Sequence, residues 1–428
     1  MSEYEFEIHL QQHTPILHFQ GGYAASGATL RATEIKPKLD RYIKGNYNIK
    51  PEWKIGKTDA LNYKLKVIDG NGETAYCSSL PMYFAEPKKK PNDANYSKKP
   101  TVAISKKKQD GEKTVEYSIT LLFFCLNKEL TVVLKQLDYH SFFIATNFGT
   151  RQSKGYGSFS PVNWPLPSEF LGKKISIEKG ITYRVDSFFS PDFREASPNC
   201  GKIMNCISDV YRCFRSGINE DGLYFKSLMF AYAKSKGEWW DKRIVKECFF
   251  QKELEEQREK HPDREEPDPL AEEQKIERKE LYPMFRDNLG LATSEDWRDY
   301  NYSITKKVNR GIARFKSPVL FKPLCINGQW RVFLLHREIP DYFRNATLTV
   351  NVAKVEEISG KKIKNRIGSI NTKTYSKFFM DNFIDYVLSL DDYSHYCKAY
   401  DEDAELRQES ILRYLKELKK NYKKKKSV

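Results

Sequence analysis

Apolar and polar residues alternate in several segments of the chain, and this period of two predicts β-strands. The alternating segments lie at 4–19, 63–69, 73–79, 114–126, 174–189, 317–336 and 345–358. Apolar residues spaced three and four apart, typical of amphipathic helices, occur at 129–146, 203–216, 224–235, 374–390 and 404–428. Residues 29–43 add helical turns before or after Pro37. Glycine-containing turns after residues 69 and 326 predict hairpins, so the pattern indicates an α+β fold with mostly antiparallel sheets.

The length of 428 residues favours two or three domains. The order of predicted elements places a first α+β domain at 1–190, a helical insertion at 191–305 and a second α+β domain at 306–428. Within the insertion, residues 246–280 are almost wholly charged and are broken by three prolines. They predict a solvated helical excursion, and their acidic blocks disfavour RNA binding there.

The charge balance narrows the kind of partner. Lys and Arg number 72 against 57 acidic residues, which gives a formal charge of +15. With no apolar run of the roughly 20 residues that span a bilayer, this excess favours a nucleic acid over a membrane surface. A lysine-rich soluble surface is the alternative. The basic end of the chain, 419–428, predicts a tail that binds polyanions without specificity.

The cysteines and the N-terminus bear on compartment and cofactors. The eight cysteines are scattered and form no Cys-x-x-Cys pair, so reduced thiols are expected and no metal site or cofactor is predicted. The first ten residues are acidic and alternating, unlike a signal peptide. We therefore expect a cytoplasmic protein.

A glycine-rich segment at 143–161 is the strongest candidate binding site. Its central residues are Gly149, Thr150, Arg151, Gln152, Ser153, Lys154, Gly155, Tyr156 and Gly157. The order of residues matches neither a nucleotide P-loop nor a dinucleotide fingerprint. Glycines let backbone N–H groups approach phosphates, and Arg151 and Lys154 add charge, so an RNA-backbone grip is predicted. A turn without a ligand is the alternative.

Two aromatic residues near this loop have two interpretations. Tyr156 and Phe159 either stack on bases or belong to the core of a sheet. Further basic residues are candidates for phosphate contact: Arg31, Lys36, Lys38 and Arg41 after the first strand, and Arg314 and Lys316 before Ser317–Pro318. A solvated helix face and an exposed strand edge are the respective alternatives.

Three short motifs together resemble one family. They are HTPILHFQGG at 13–22, FGTRQSKGYGSF at 148–159 and IARFKSPVLFKPL at 312–324. In this order they resemble the RAMP superfamily (repeat-associated mysterious proteins) of CRISPR effector complexes. They are most similar to the first-numbered subunit of type III-B (Cmr) complexes.

The resemblance implies a fold and a function. It implies two ferredoxin-like domains, and a non-catalytic subunit that holds the 3′ region of the guide RNA (crRNA) in antiviral defence. It also implies other RAMP subunits, a polymerase-like large subunit and target RNA as partners. Because phosphate contacts position a strand while guide–target pairing selects the sequence, such binding tolerates any guide.

The same superfamily suggests two catalytic alternatives. Some members process CRISPR repeat RNA with a general-base histidine, which points to His13 or His18. The two residues have opposite parity on the first strand, so they do not form a pair. Backbone subunits of type III complexes cut target RNA with an aspartate in an early loop, which points to Asp40. An aspartate among basic neighbours is more often an ion-pair partner, and we expect no catalysis.

Overall fold

The computed structural model describes sixteen stretches of the chain. They are residues 3–17, 30–69, 74–76, 102–105, 109–110, 113–114, 119–162, 164–165, 167–191, 200–260, 281–291, 294–297, 302–308, 315–344, 346–358 and 361–422. Among them, no helix combines the length and the apolar character needed to span a membrane.

Strands run through the whole chain. In chain order they are β1 (Glu5–Gln12), β2 (Ile16–Leu17), β3 (Lys64–Asp69), β4 (Thr74–Tyr76), β5 (Val102–Ser105), β6 (Gln109–Asp110), β7 (Lys113–Thr114), β8 (Ile119–Phe124), β9 (Phe159–Pro161), β10 (Lys174–Glu178), β11 (Ile181–Phe189), β12 (Ile218–Glu220), β13 (Leu223–Phe225), β14 (Pro283–Met284), β15 (Ser294–Trp297), β16 (Tyr302–Val308), β17 (Val319–Ile326), β18 (Gln329–Arg337), β19 (Thr347–Ile358), β20 (Lys361–Thr374) and β21 (Cys397–Ala399).

Helices lie between these strands. They are α1 (Ala32–Asn46), α2 (Lys128–Gln136), α3 (Tyr139–Ile144), α4 (Cys200–Arg215), α5 (Leu228–Ser235), α6 (Asp241–Phe249), α7 (Gln251–Lys260), α8 (Met380–Ser389) and α9 (Glu402–Asn421). The predicted α+β class is confirmed.

The chain divides into two compact units that share it in alternate segments. Unit 1 comprises residues 1–211, 319–337 and 409–428. Unit 2 comprises residues 212–318 and 338–408. The domain ranges predicted from the sequence stay predictions.

The first sheet of unit 1 has the strand order β3-β8-β1-β9, and all neighbouring strands in it are antiparallel. Along the chain its elements follow the order β1, α1, β3, β8, α2 with α3, and β9. This is the βαββαβ order of a ferredoxin-like domain. The hairpin predicted over 63–79 is wrong, because β3 pairs with β8 whereas β4 pairs with β5.

Local sequence explains the helices on this sheet. Helix α1 buries Ile35, Leu39 and Ile43 on one face, and this packing holds it continuous through Pro37. The predicted helix at 129–146 is broken in two. Asp138 accepts a hydrogen bond from the Ser141 N–H and so begins α3 as its N-cap residue.

A second four-stranded sheet of unit 1 has the order β10-β11-β18-β17, and two small sheets, β2-β5-β4 and β6-β7, also belong to this unit. Its strands β17 and β18 form the predicted hairpin, with Asn327 and Gly328 at positive φ in the turn. Leu320, Leu324 and Phe333 from this hairpin lie in the same buried cluster as Leu121 and Phe143 of the first half. The core of unit 1 therefore depends on residues from distant parts of the chain.

Unit 2 contains a five-stranded sheet with the order β14-β20-β19-β16-β15. Its centre is the long antiparallel hairpin of β19 and β20, which helix α8 follows along the chain. Short strands β12, β13 and β21 form a separate sheet. Tyr232 of α5 packs against the rings of Phe378 and Phe383, which places α5 and α8 in one aromatic core.

Candidate RNA interface

The glycine-rich loop connects α3 to β9 in unit 1, and four of its residues have positive φ. Gly149, Arg151, Gly155 and Gly157 lie at φ values of 73°, 55°, 84° and 66°. A Cβ at Gly157 would lie 2.0 Å from the carbonyl oxygen of Phe148, and one at Gly155 would lie 2.7 Å from Ile207 Cδ1. These two glycines are buried, and neither position has room for a side chain.

The turn after β1 anchors the end of the loop. The Thr14 hydroxyl donates to the carbonyl of Gly155 (2.5 Å) and accepts from the N–H of Ser158 (3.0 Å). The N–H of Gly157 donates to the carbonyl of Pro15 (2.8 Å). The Thr-Pro motif and the glycine-rich loop, two of the three motifs found in the sequence, are thus in direct contact.

Asn147 and Lys38 fix the start of the loop. The Asn147 amide donates to the carbonyls of Gln152 (2.7 Å) and Phe321 (2.9 Å). Lys38 Nζ donates to the Asn147 carbonyl (2.5 Å) and to Gln152 Oε1 (2.9 Å), and it lies 4.7 Å from the centroid of the Phe148 ring. Lys38 therefore supports the loop from α1 with its ammonium group already engaged.

The aromatic residues of the loop are in the core. Tyr156 is 2% exposed and Phe159 is fully buried, so the core interpretation of both residues is the one observed. The guanidinium of Arg151 lies 5.7 Å from the centroid of the Tyr156 ring. The Lys154 ammonium is also buried, and it packs over the ring of Tyr211 on α4.

The tip of the loop differs from its buried base. Gly149, Thr150, Arg151, Gln152 and Ser153 are all half-buried. Within the described part of the chain, the backbone N–H groups of Gly149, Gln152 and Ser153 donate to no carbonyl or side chain. Backbone N–H groups that donate to no protein acceptor can donate to an anion. The tip can therefore accept a phosphate.

The other predicted basic residues are in varied surroundings. Lys36 donates to Asp40 (2.9 Å) and to the Leu61 carbonyl (2.8 Å), and it lies over the Tyr63 ring, so its charge is used inside unit 1. Arg31 is the half-buried N-cap residue of α1. The Arg41 side chain is 50% exposed, with Glu178 3.7 Å away.

Lys316, in unit 2, is exposed. Arg314, and residues 423–428 of the predicted basic tail, lie outside the described residues.

The candidate catalytic residues of unit 1 have structural partners. The N–H of Cys325 donates to His13 Nδ1 (3.0 Å), so this nitrogen is an acceptor, and Nε2 lies 2.8 Å from the Ser160 hydroxyl. His13 is 3% exposed. Asp40 is also buried and, besides Lys36, accepts from the N–H of Leu61 (3.2 Å). His18 lies outside the described residues.

Sequence reasoning missed Lys322, which lies beneath the loop. Its side chain is fully buried, and Nζ donates to the carbonyls of Thr146 (3.0 Å) and Phe159 (2.8 Å), one on each side of the loop. Burial, with the charge of Lys38 nearby, holds the pKa of Lys322 well below its ordinary value. A lysine within the apolar run VLFKPL was the only sequence signal for this position.

Comparison with known proteins covers almost the whole chain. A family model described as the Cmr1 N-terminal domain matches residues 3–218, and one described as the Cmr1 C-terminal domain matches residues 224–419. No curated protein and no solved structure matches the chain.

Proposed function

Because the chain belongs to the Cmr1 family of RAMP subunits of type III-B CRISPR effector complexes, we propose that it binds the guide RNA of such a complex without cleaving it. The glycine-rich loop of unit 1 is the proposed grip on the RNA backbone. The 3′ region of the guide is the proposed segment, and the other subunits and the target RNA are the proposed partners.

The tip of the loop carries this proposal. It offers the N–H groups of Gly149, Gln152 and Ser153 beside Arg151, while Thr14, Asn147 and Lys38 fix the rest of the loop. A fixed set of donors binds a phosphate without the entropy cost of ordering a loop. Backbone N–H groups and one guanidinium that contact phosphates do not distinguish one base from another, so the grip suits guides of any sequence.

The surroundings of the candidate catalytic residues support a non-catalytic role. A general base needs a free lone pair within reach of the proton that it removes. His13 Nδ1 already accepts a backbone N–H, and the carboxylate of Asp40 is bound to Lys36 and Leu61. Both side chains are buried, which keeps an RNA 2′-hydroxyl out of reach.

Removal of charge from Arg151 on the loop and from Arg41 on α1 tests the proposed grip. Arg151→Asn with Arg41→Gln removes two charges from unit 1, and Asn suits the left-handed backbone at position 151. Lys50→Gln with Lys128→Gln is the matched control, since both lysines are exposed in unit 1. We expect guide RNA to bind about tenfold more weakly to the first variant than to the control. The slope of log affinity against log salt concentration should decrease in magnitude by about 1.4 to 1.8, for two lost phosphate contacts. Equal affinities would refute the grip.

Incubation with RNA tests the non-catalytic role. The full chain is mixed with CRISPR repeat RNA and, separately, with a guide–target duplex, each with EDTA and with Mg²⁺. We expect intact RNA in all four mixtures. Cleavage that disappears in His13→Ala, or in Asp40→Asn, would replace the proposal with the corresponding enzyme.

A further inference from the structure

We infer that the outer face of the five-stranded sheet in unit 2 is a second site for the sugar–phosphate backbone of RNA. This face is defined by Lys307 on β16, Asn351 on β19, and Lys364, Arg366, Ser369, Asn371 and Lys373 on β20. The inference rests on the proposed function for the class of ligand, but it concerns different residues in a different unit.

Burial along the hairpin separates its two faces. On β19, Leu348, Val350 and Val352 are buried, whereas the residues between them are half-buried. On β20, Ile370 and Thr372 are buried, whereas Ser369 and Asn371 are exposed. Since side chains alternate across a sheet, the second set shares the outer face.

The strand register joins three strands into rows on this face. Lys307 pairs with Thr349, which pairs with Asn371. In the next row Asn351 pairs with Ser369. The hydroxyl of Thr349 donates to Asn371 Oδ1 (3.0 Å), which confirms that these side chains lie on one side of the sheet.

A bulge extends the face toward the end of the hairpin. The register shifts between Val352 and Ala353, so Arg366 pairs with Ala353 although Gly368 pairs with Val352. This extra residue in β20 brings Arg366 and Lys364 to the outer side. The Lys364 ammonium donates to the hydroxyl of Ser303 (2.7 Å). Ser303 pairs with Ala353, so it lies in the row of Arg366.

The chemistry of the face fits RNA. Four cations lie among amide and hydroxyl side chains, and the described rows contain no aromatic ring on which a base could stack. Cations attract phosphates, while amides and hydroxyls hydrogen-bond the ribose 2′-OH, the group that distinguishes RNA from DNA. Two acids, Asp296 and Glu357, occupy register positions at the margins, and Glu238 lies within electrostatic reach of Lys373. The face therefore contacts the backbone, of a single strand or of a duplex.

Two double variants of the full chain test this site. Lys307→Gln with Arg366→Gln removes two charges from the face. Its matched control is Lys354→Gln with Lys398→Gln, because both lysines are exposed in unit 2 but lie outside the face. Asn351→Ala with Asn371→Ala removes amides while the charge is unchanged. Affinity for a single-stranded RNA, an RNA duplex and a DNA of the same sequence is measured at several salt concentrations.

We expect the charge variant to bind RNA about tenfold more weakly than its control, and the amide variant to lose preference for RNA over DNA. Whichever RNA, single-stranded or duplex, shows the larger decrease in affinity for the charge variant relative to its control is the form that the face binds. Equal binding of RNA by the charge variant and its control would overturn the inference. So would a charge variant that binds RNA normally but no longer binds another subunit of the complex. A loss of RNA affinity at Arg151 alone would leave the proposed function standing, whereas a wild-type chain that binds no RNA would overturn both.

Discussion

Lys322 is a basic residue in buried surroundings that disfavour its charged form. It is fully buried, and its amine holds both sides of the glycine-rich loop through the carbonyls of Thr146 and Phe159. Desolvation favours the neutral amine, which still donates two hydrogen bonds. The loop is thus held by a lysine that, in the folded chain, gives up its proton at a lower pH than an exposed lysine does.

This lowered pKa predicts a pH dependence of stability. Between the folded pKa of Lys322 and its ordinary value of 10.5, the unfolded chain binds a proton that the folded chain lacks. The free energy of unfolding therefore rises with pH in this interval, by up to about 1.4 kcal/mol per pH unit, and the contribution is lost as pH falls through the folded pKa. We expect urea unfolding at pH 6 to 10 to show a steeper rise for the wild type than for Lys322→Met. If the free energy of unfolding changed with pH in the same way in both proteins, the prediction would be contradicted.

Gly157 permits a second prediction for a single residue. An added Cβ would meet the Phe148 carbonyl at 2.0 Å, on a backbone at φ +66°. We expect Gly157→Ala to lower the free energy of unfolding by about 3 kcal/mol or more, from strain and overpacking together. Gly172→Ala is the control, because Gly172 also has positive φ but nothing lies within 4 Å of its added Cβ.

For Gly172→Ala, a loss of about 1 kcal/mol is expected from backbone strain alone. Denaturant unfolding of the two variants side by side measures the difference. Similar losses would mean that the contact with Phe148 does not limit position 157.

The sequence located the loop but not the use of its basic residues. Arg151 and the glycine spacing were visible in the sequence, and the tip is where backbone donors are open. The buried state of Lys154 depends on Tyr211, and the engagement of Lys38 depends on Asn147. Such partners, 57 and 109 residues away in the chain, are set by tertiary packing, which a local pattern does not contain.

At the scale of elements, local patterns succeeded where one face of an element is buried. The apolar residues spaced three and four apart at 203–216 correspond to α4, and the predicted helix at 404–428 corresponds to α9. Pairing was less predictable. The glycine turn after Asp69 suggested that β3 continues into β4, but β3 instead lies at the edge of the first sheet beside β8. Turn residues indicate where a strand ends, not which strand it pairs with.

Asp40 links α1 to the segment before β3, and this link gives a prediction for the element. Its carboxylate holds Lys36 on the same helix and the N–H of Leu61. Asp40→Asn removes the negative charge that pairs with Lys36 and replaces one of the two acceptor oxygens with an NH2 donor, so we expect it to destabilise the chain by about 1–3 kcal/mol. RNA binding at the loop should be unchanged once folding is complete.

The control for Asp40 is Asp59→Asn. Asp59 also pairs with a lysine of α1, Lys44, but its side chain is 78% exposed, and exposed ion pairs contribute about 0–1 kcal/mol. Thermal unfolding measures both variants. If the two lose the same stability, Asp40 is not the link described here.

At the scale of the whole molecule, the alternation of segments between the two units was not visible in the sequence. The hairpin of β17 and β18 reads as part of a C-terminal domain, and only its pairing with β11 assigns it to unit 1. Leu320, Leu324 and Phe333 then complete the core of the first half. Hydrophobic patterns show that a strand is buried but not against what.

This division predicts that the segment matched by the Cmr1 N-terminal domain model does not fold stably alone. A fragment of residues 1–218 lacks β17, β18 and the part of α9 in unit 1, so it leaves the edge of β11 and the apolar residues beneath the hairpin uncovered. We expect it to aggregate or to melt at a much lower temperature than the full chain. Circular dichroism and gel filtration measure this. A monomeric fragment with the melting temperature of the full chain would contradict the prediction.

The late arrival of β18 also has a consequence for synthesis in the cell. Strand β11 ends at Phe189, but the hairpin that covers its edge begins only at Val319. At the usual 5–20 residues per second, the ribosome takes on the order of ten seconds to supply it. During that delay the nascent chain presents an open strand edge beside apolar side chains, a surface to which chaperones bind. Unit 1 is therefore completed only after residues 212–318 of unit 2 have been synthesised.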